Sequence, residues 1–262
     1  MTEESIHDLR VGLRRLQAIV EVTDFFLPDA GKTREALDSM RKGFGPIRDI
    51  QVLIPAAGDL AKTYPVLERF RGMLVKREQS QLRQLRKNVK TRHSRLKRAF
   101  SNALNRSQDL LPMFSSLEID RTIAGAIDSA YERVLQTKQA VDRYDTSAIH
   151  SLRIAFKKFR YATEAAQDVL RDSTRTQLER MHEIQITMGN IQDAEVLFEA
   201  LAGWGRKRKK NVRRKLAPVY VVIAQRRREH IDALLARIGE IQTLRRRPAQ
   251  QEGSRPPVRL VQ

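Results

Sequence analysis

Apolar residues recur along most of this chain at helical spacing, with polar and cationic residues between them. In the first such segment Leu9, Leu13, Leu16 and Val20 share one side of a helical wheel turning about 100° per residue. His7, Arg10, Arg14 and Glu21 share another. The arrangement returns 143 residues later: Leu152, Phe156, Phe159 and Thr163 on the first side, His150, Arg153, Lys157 and Glu164 on the second. A face to bury and a face of cations recur as one unit.

Periodicity, with glycine and proline as punctuation, predicts helices nearly throughout. In the first half they run from about Ile6 to Phe26, Thr33 to Phe44, and Ile47 to Ala57 after a break at Gly45-Pro46. A long helix, opened by Pro65, then runs from Val66 to about Lys90. A break at Arg92-His93-Ser94 precedes Leu96 to Leu104. Ser107 to Ser116, with Pro112 inside, reads as the seam between halves. Helices in the second half span about Asp120–Arg143, His150–Leu170, Thr174–Met188 and, after Gly189-Asn190, Asp193–Leu201. A basic helical segment from Arg206 to about Leu244 is expected to break or kink at Pro218. The organisation that follows is a first repeat over 1–115, a second over 116–244 and a basic, disordered tail over 245–262.

A second duplicated block supports this division. Gly45-Pro-Ile-Arg48-Asp49 leads into Val52-Leu53, and Gly189-Asn-Ile-Gln192-Asp193 leads into Val196-Leu197, now at an offset of 144. One loop insertion accounts for the extra residue. Each aspartate follows its glycine by four positions, so capping of a helix start or pairing with a nearby arginine is expected.

Charge narrows the class of partner. The 262-residue chain carries a formal net charge of +19, which points to a polyanion rather than to any fold. With no cysteine there is no disulfide framework, thiolate nucleophile or cysteine metal site. The N-terminal residues lack the apolar stretch of a signal peptide, and no apolar run is long enough to span a bilayer. The expected location is the cytoplasm.

The blocks HSLRIAFKKFRYATE and GNIQDAEVL, with HDLRVGLRRLQAIVE and GPIRDIQVL before them, resemble the CHAD domain, a histidine-bearing α-helical family. The resemblance extends to about residue 244; Gln17-Ala18 stand where the second copy has Arg160-Tyr161. It implies an all-α fold of two pseudo-symmetric helical-bundle repeats around a basic central cavity or pore, and binding of inorganic polyphosphate. Only six residues precede His7, whereas a long helix precedes His150, so the first bundle is expected to lack one helix. The alternating glutamate strands of triphosphate tunnel enzymes, to which such domains are often fused, are not in this sequence.

Polyphosphate has no bases to read, so recognition must rest on charge and on donors to oxygen. Arginine offers a rigid fork of donors and lysine a point charge. The candidate binding residues are His7, Arg10, Arg14, Arg15, His150, Arg153, Lys157, Lys158, Arg160 and Tyr161. Secondary candidates are Arg48, Lys76, Arg83, Arg206 and Lys207, for which a solvated helical face is the plainer alternative. For the two histidines the alternative is a hydrogen bond between the halves, and for Tyr161 it is packing. Glu21 and Glu164 are expected to orient neighbouring cations. No carboxylate cluster repeats on the cationic face, so neither catalysis, a metal nor a cofactor is expected. Two rivals remain. Glu4-x-x-His7 and Glu179-x-x-His182 have the spacing of di-iron ligands but occupy non-equivalent places in the repeat. General DNA or RNA binding would follow from charge alone, yet aromatics are only 6% of residues and few lie among the cations. Weak, salt-sensitive binding of nucleic acid is expected as a side effect. Oligomeric state is not written in the sequence.

Overall fold

The computed structural model describes residues 3–27, 30–170 and 174–245. Of the disordered tail predicted over 245–262, all but Arg245 lies outside them. Among the described residues the fold is all-α: α1 (Glu3–Val22), α2 (Ala30–Ala61), α3 (Glu68–Leu110), α4 (Ser116–Gln139), α5 (Thr146–Ala165), the single turn α6 (Gln167–Leu170), α7 (Arg175–Arg206) and α8 (Lys210–Arg237). Short 3-10 turns join several of them, and no strand occurs among the described residues.

Four predicted interruptions are absent. α2 runs unbroken through Gly45-Pro46, α3 through Arg92-His93-Ser94, α7 through Gly189-Asn190 and α8 through Pro218. A proline removes one helical donor and strands a carbonyl one turn earlier. Pro46 and Pro218 lie on exposed flanks, as do Lys42 and Arg214 one turn earlier, so water can serve the freed carbonyls. The opposite flank is buried and holds the helix.

The patterns at Gly45 and Gly189 mark a change of face instead. In α2, Leu37, Met40, Phe44 and Ile47 lie on one stripe; Ile50, Leu53, Ala57 and Leu60 lie on another, rotated by about 140° when residues are placed at 100° intervals. The same rotation separates Met181, Ile184, Met188 and Ile191 from Leu197, Leu201 and Trp204 in α7. Each helix therefore serves two cores. One core holds α4, α5, the first half of α7 and the end of α8. Another holds α1, the first half of α2 and the middle of α3. Between them the second halves of α2 and α7 meet the first parts of α3 and α8. α1 also packs on α5, and Val22 and Phe26 reach the core of the second half.

Caps fix the register of the site-bearing helices. Asp145 accepts from the backbone N–H groups of Ser147 (2.8 Å) and Ala148 (3.2 Å), capping α5 five residues before His150. Ser115 and Glu118 form a reciprocal capping box at α4, and Thr174 caps α7. At the far end Arg245 is held to Asp128 of α4 at 2.8 Å.

Candidate functional site: a cationic cleft between four helices

α1 and α5 lie against each other, so their cationic stripes share one opening. His7, Arg10 and Arg14 of α1 and His150, Arg153 and Lys157 of α5 line a cleft of about 520 Å³. α2 contributes Arg48 and Asp49 to its wall, and α7 contributes Gln185, Gln192 and Asp193. A neighbouring cleft of about 400 Å³ shares Arg14, His150, Arg153 and Lys157, and adds Gln17, Glu21, Arg41, Lys158 and Tyr161. The two are one continuous surface bent around these four shared residues.

Burial gives this surface its character. Lys157 is pushed down to about 6, first because burial disfavours its ammonium and then because Arg14, Arg153 and Arg10 crowd it. Arg10 falls to about 10, through burial and then the charge of Arg14, partly offset by Asp49. Arg153 is lowered as well, by burial first, with Asp193 acting in the other direction. Asp193 is itself raised by burial, against the pull of Arg153 and Arg48. The Nε of Arg153 is buried and has no hydrogen-bond acceptor. Such an orphaned charged donor costs free energy until an acceptor arrives.

Several groups hold the cations in place. His150 Nδ1 meets the side-chain amide of Gln192, which ties the imidazole of α5 to α7. Lys158 reaches across to Glu21 of α1 at 3.7 Å, and Gln17 donates to the same carboxylate at 3.0 Å. Arg160 is buried: it donates to Gln185 (2.9 Å), Glu164 (2.8 Å) and His182 (3.3 Å), and its guanidinium stacks 4.6 Å from the Tyr161 ring. It lines neither cleft and braces α5 against α7.

The structure thus brings together His7, Arg10, Arg14, His150, Arg153, Lys157, Lys158, Tyr161 and Arg48. Arg15 is exposed outside both clefts, as are Lys76 and Arg83 on α3 and Arg206 and Lys207 after Trp204. Asp49 and Asp193 lie within α2 and α7 and cap no helix. They line the cleft, where their charges act on Arg10 and Arg153. Arg41, Gln185 and Gln192 escaped the sequence reading. The signal was present, since the 144-residue offset that pairs Arg48 with Gln192 also pairs Arg41 with Gln185, two turns upstream. Among the described residues no three His, Cys, Asp or Glu side chains gather as metal ligands would. Glu179 pairs with Arg175 at 2.9 Å, and His182 with Arg160. No described helix is long and apolar enough to cross a membrane.

The sequence model of the CHAD domain family matches residues 1–202. The chain belongs to the CHAD domain family. A crystal structure of the CHAD domain from the plant Ricinus communis is similar in fold, with a TM-score of 0.70 at 19% sequence identity. The alignment covers 91% of this chain and 82% of the plant one. No curated protein matches. The family match ends at 202, short of α8, which completes two of the three cores of this CHAD domain.

Proposed function

We propose that this CHAD domain binds inorganic polyphosphate non-covalently, along the bent cationic surface between α1, α2, α5 and α7. The observation that carries the reading is the buried Nε of Arg153, without an acceptor, beside a lysine pressed to about 6. A cleft that desolvates its own cations gains most from a flexible chain of phosphoryl oxygens threaded among them. The two repeats would act as one site, enclosing the basic central cavity that the family resemblance implies.

Nucleic acid fits less well. Tyr161 is the one aromatic side chain lining the two clefts among the described residues, which offers bases little to stack on. Nor do the charged groups suit catalysis. Glu21 and Glu164 are each engaged by a cation, and phosphoanhydride hydrolysis needs a positioned base or metal beside the charge clamp. Bound polyphosphate should stay intact with Mg²⁺ present. Titration calorimetry with long-chain polyphosphate, with duplex DNA and RNA as competitors, tests the reading. Equal or tighter binding of DNA at matched phosphate concentration would overturn it in favour of a general nucleic-acid binder.

A further inference from the structure

A larger cavity lies away from the cationic cleft, where the α2–α3 connection meets the α7–α8 turn. Its volume is about 810 Å³, within the range of small-molecule sites. Its walls are largely apolar, with Pro65, Val66, Met73 and Val212 among them. Three cations also line it, Arg69, Arg208 and Lys215, and no carboxylate does. Tyr64, beside this cavity, stands 15 residues beyond Asp49 of the cleft, or about 20 Å along the chain by the helical rise.

Trp204 is the feature that asks for a ligand. It is the chain's only tryptophan, it lines the cavity, and it is buried with its ring against Phe70 at 5.5 Å. Its indole N–H has no hydrogen-bond acceptor. Buried indoles usually find one, and leaving the donor unpaired is costly. The Arg208 guanidinium lies 4.5 Å over the same ring, so aromatic surface and positive charge are presented side by side. Inorganic polyphosphate could use the three cations but would gain nothing from the apolar walls. A duplex is too wide for a cavity of this size.

We propose that this cavity is a second ligand site, separate from the polyphosphate cleft, for a small organic anion whose planar or apolar body bears a phosphate group, as in a nucleotide. The body would lie against Val66, Met73 and Val212. The anionic group would meet Arg69, Arg208 and Lys215, and an oxygen or ring nitrogen would accept from the Trp204 indole after a small adjustment.

The single tryptophan makes the test direct. Indole emission of the full chain is titrated with ATP and, separately, with tripolyphosphate, which carries at least as much charge without a base. The expected result is saturable quenching by ATP, with tripolyphosphate about tenfold weaker. Arg208→Glu and Val212→Phe, each checked for helicity by circular dichroism, should weaken ATP by about tenfold or more while calorimetric binding of long-chain polyphosphate is kept. Arg153→Glu should do the reverse. Three results would overturn the proposal: no response to ATP, equal affinity for ATP and tripolyphosphate, or loss of ATP binding through Arg153→Glu rather than Arg208→Glu. Because the two sites are read out by different ligands, failure of one reading leaves the other standing.

Discussion

Lys157 shows how one side chain can tie ligand, proton and stability together. Its folded value of about 6 lies far below the 10.5 of a free lysine, so between these limits the unfolded chain keeps a proton that the folded chain has released. Stability contributed by this residue therefore rises with pH across that window. A polyanion in the cleft favours the ammonium and raises the folded value. Binding of polyphosphate near neutral pH should then take up a proton, and affinity should fall as pH climbs from about 6. Calorimetry in buffers of different ionisation enthalpy measures the uptake. Lys157→Met should abolish it, weaken binding, and raise the melting temperature most at the acid end. Unchanged proton uptake in Lys157→Met would assign the proton elsewhere. A second contrast at this scale sets corresponding positions of the two duplicated sequence blocks against each other. Phe159 is fully buried, whereas Leu16, its counterpart at the 143-residue offset, is 37% exposed. Leu9 and Ile19, at 38% and 41%, continue the uncovered flank, while Leu152 and Ala162 opposite them are buried. Phe159→Ala should cost about 3–5 kcal/mol and Leu16→Ala about 1 kcal/mol or less, measured by denaturant unfolding. Similar losses at both sites would mean that the α1 flank is covered in solution.

At the level of elements, continuity rather than punctuation organises the molecule. The 3.6-residue period of α1 and α5 was legible, and with it the pairing of the cationic stripes, because His7 and His150 repeat both pattern and chemistry. What misled was the phase shift in α2 and α7. A helix that turns a new face to a second core loses its periodicity at the change-over, and a glycine there imitates an end. The same effect hid Arg41 and Gln185, which lie on the stretch read as a separate helix. Tertiary packing also overrode local breakers at Pro46 and Pro218, which a one-dimensional reading cannot weigh. Glycine matters where helices close on each other. A Cβ on Gly205 would meet Tyr220 Oη at 2.8 Å and Leu216 Cδ1 at 3.1 Å, and Tyr220 is tethered to the Leu201 carbonyl. Gly205→Ala should destabilise by about 1–3 kcal/mol. On α4, a Cβ on Gly125 meets nothing within 4 Å, so Gly125→Ala should stabilise by about 0.5–1 kcal/mol through helix propensity alone. Thermal unfolding of the two variants side by side checks both signs.

For the whole molecule, the question is whether a net charge of +19 acts as a diffuse field or through a built site. A diffuse field treats every cation alike, so reversing any one of them should lower polyphosphate affinity by a similar factor. A cleft formed jointly by α1 and α5 predicts otherwise. Arg10 and Arg153 come from the two duplicated sequence blocks, line the same cleft and are both partly withdrawn from water. Lys97, exposed on α3, lines neither cleft and shares only the net-charge effect. Arg10→Glu and Arg153→Glu should each weaken binding by about tenfold or more, while Lys97→Glu changes it by about twofold or less. The double variant carries the decisive information. Once one reversal has driven the chain from the shared wall, the second has less left to remove, so the combined loss should fall short of the product of the two. Salt offers an independent readout, since each phosphate neutralised releases counterions. The slope of log affinity against log salt should flatten by about one for each cleft reversal and hold for Lys97→Glu. Equal losses at all three positions, multiplying without coupling, would reduce the duplicated stripe to a patch of surface charge.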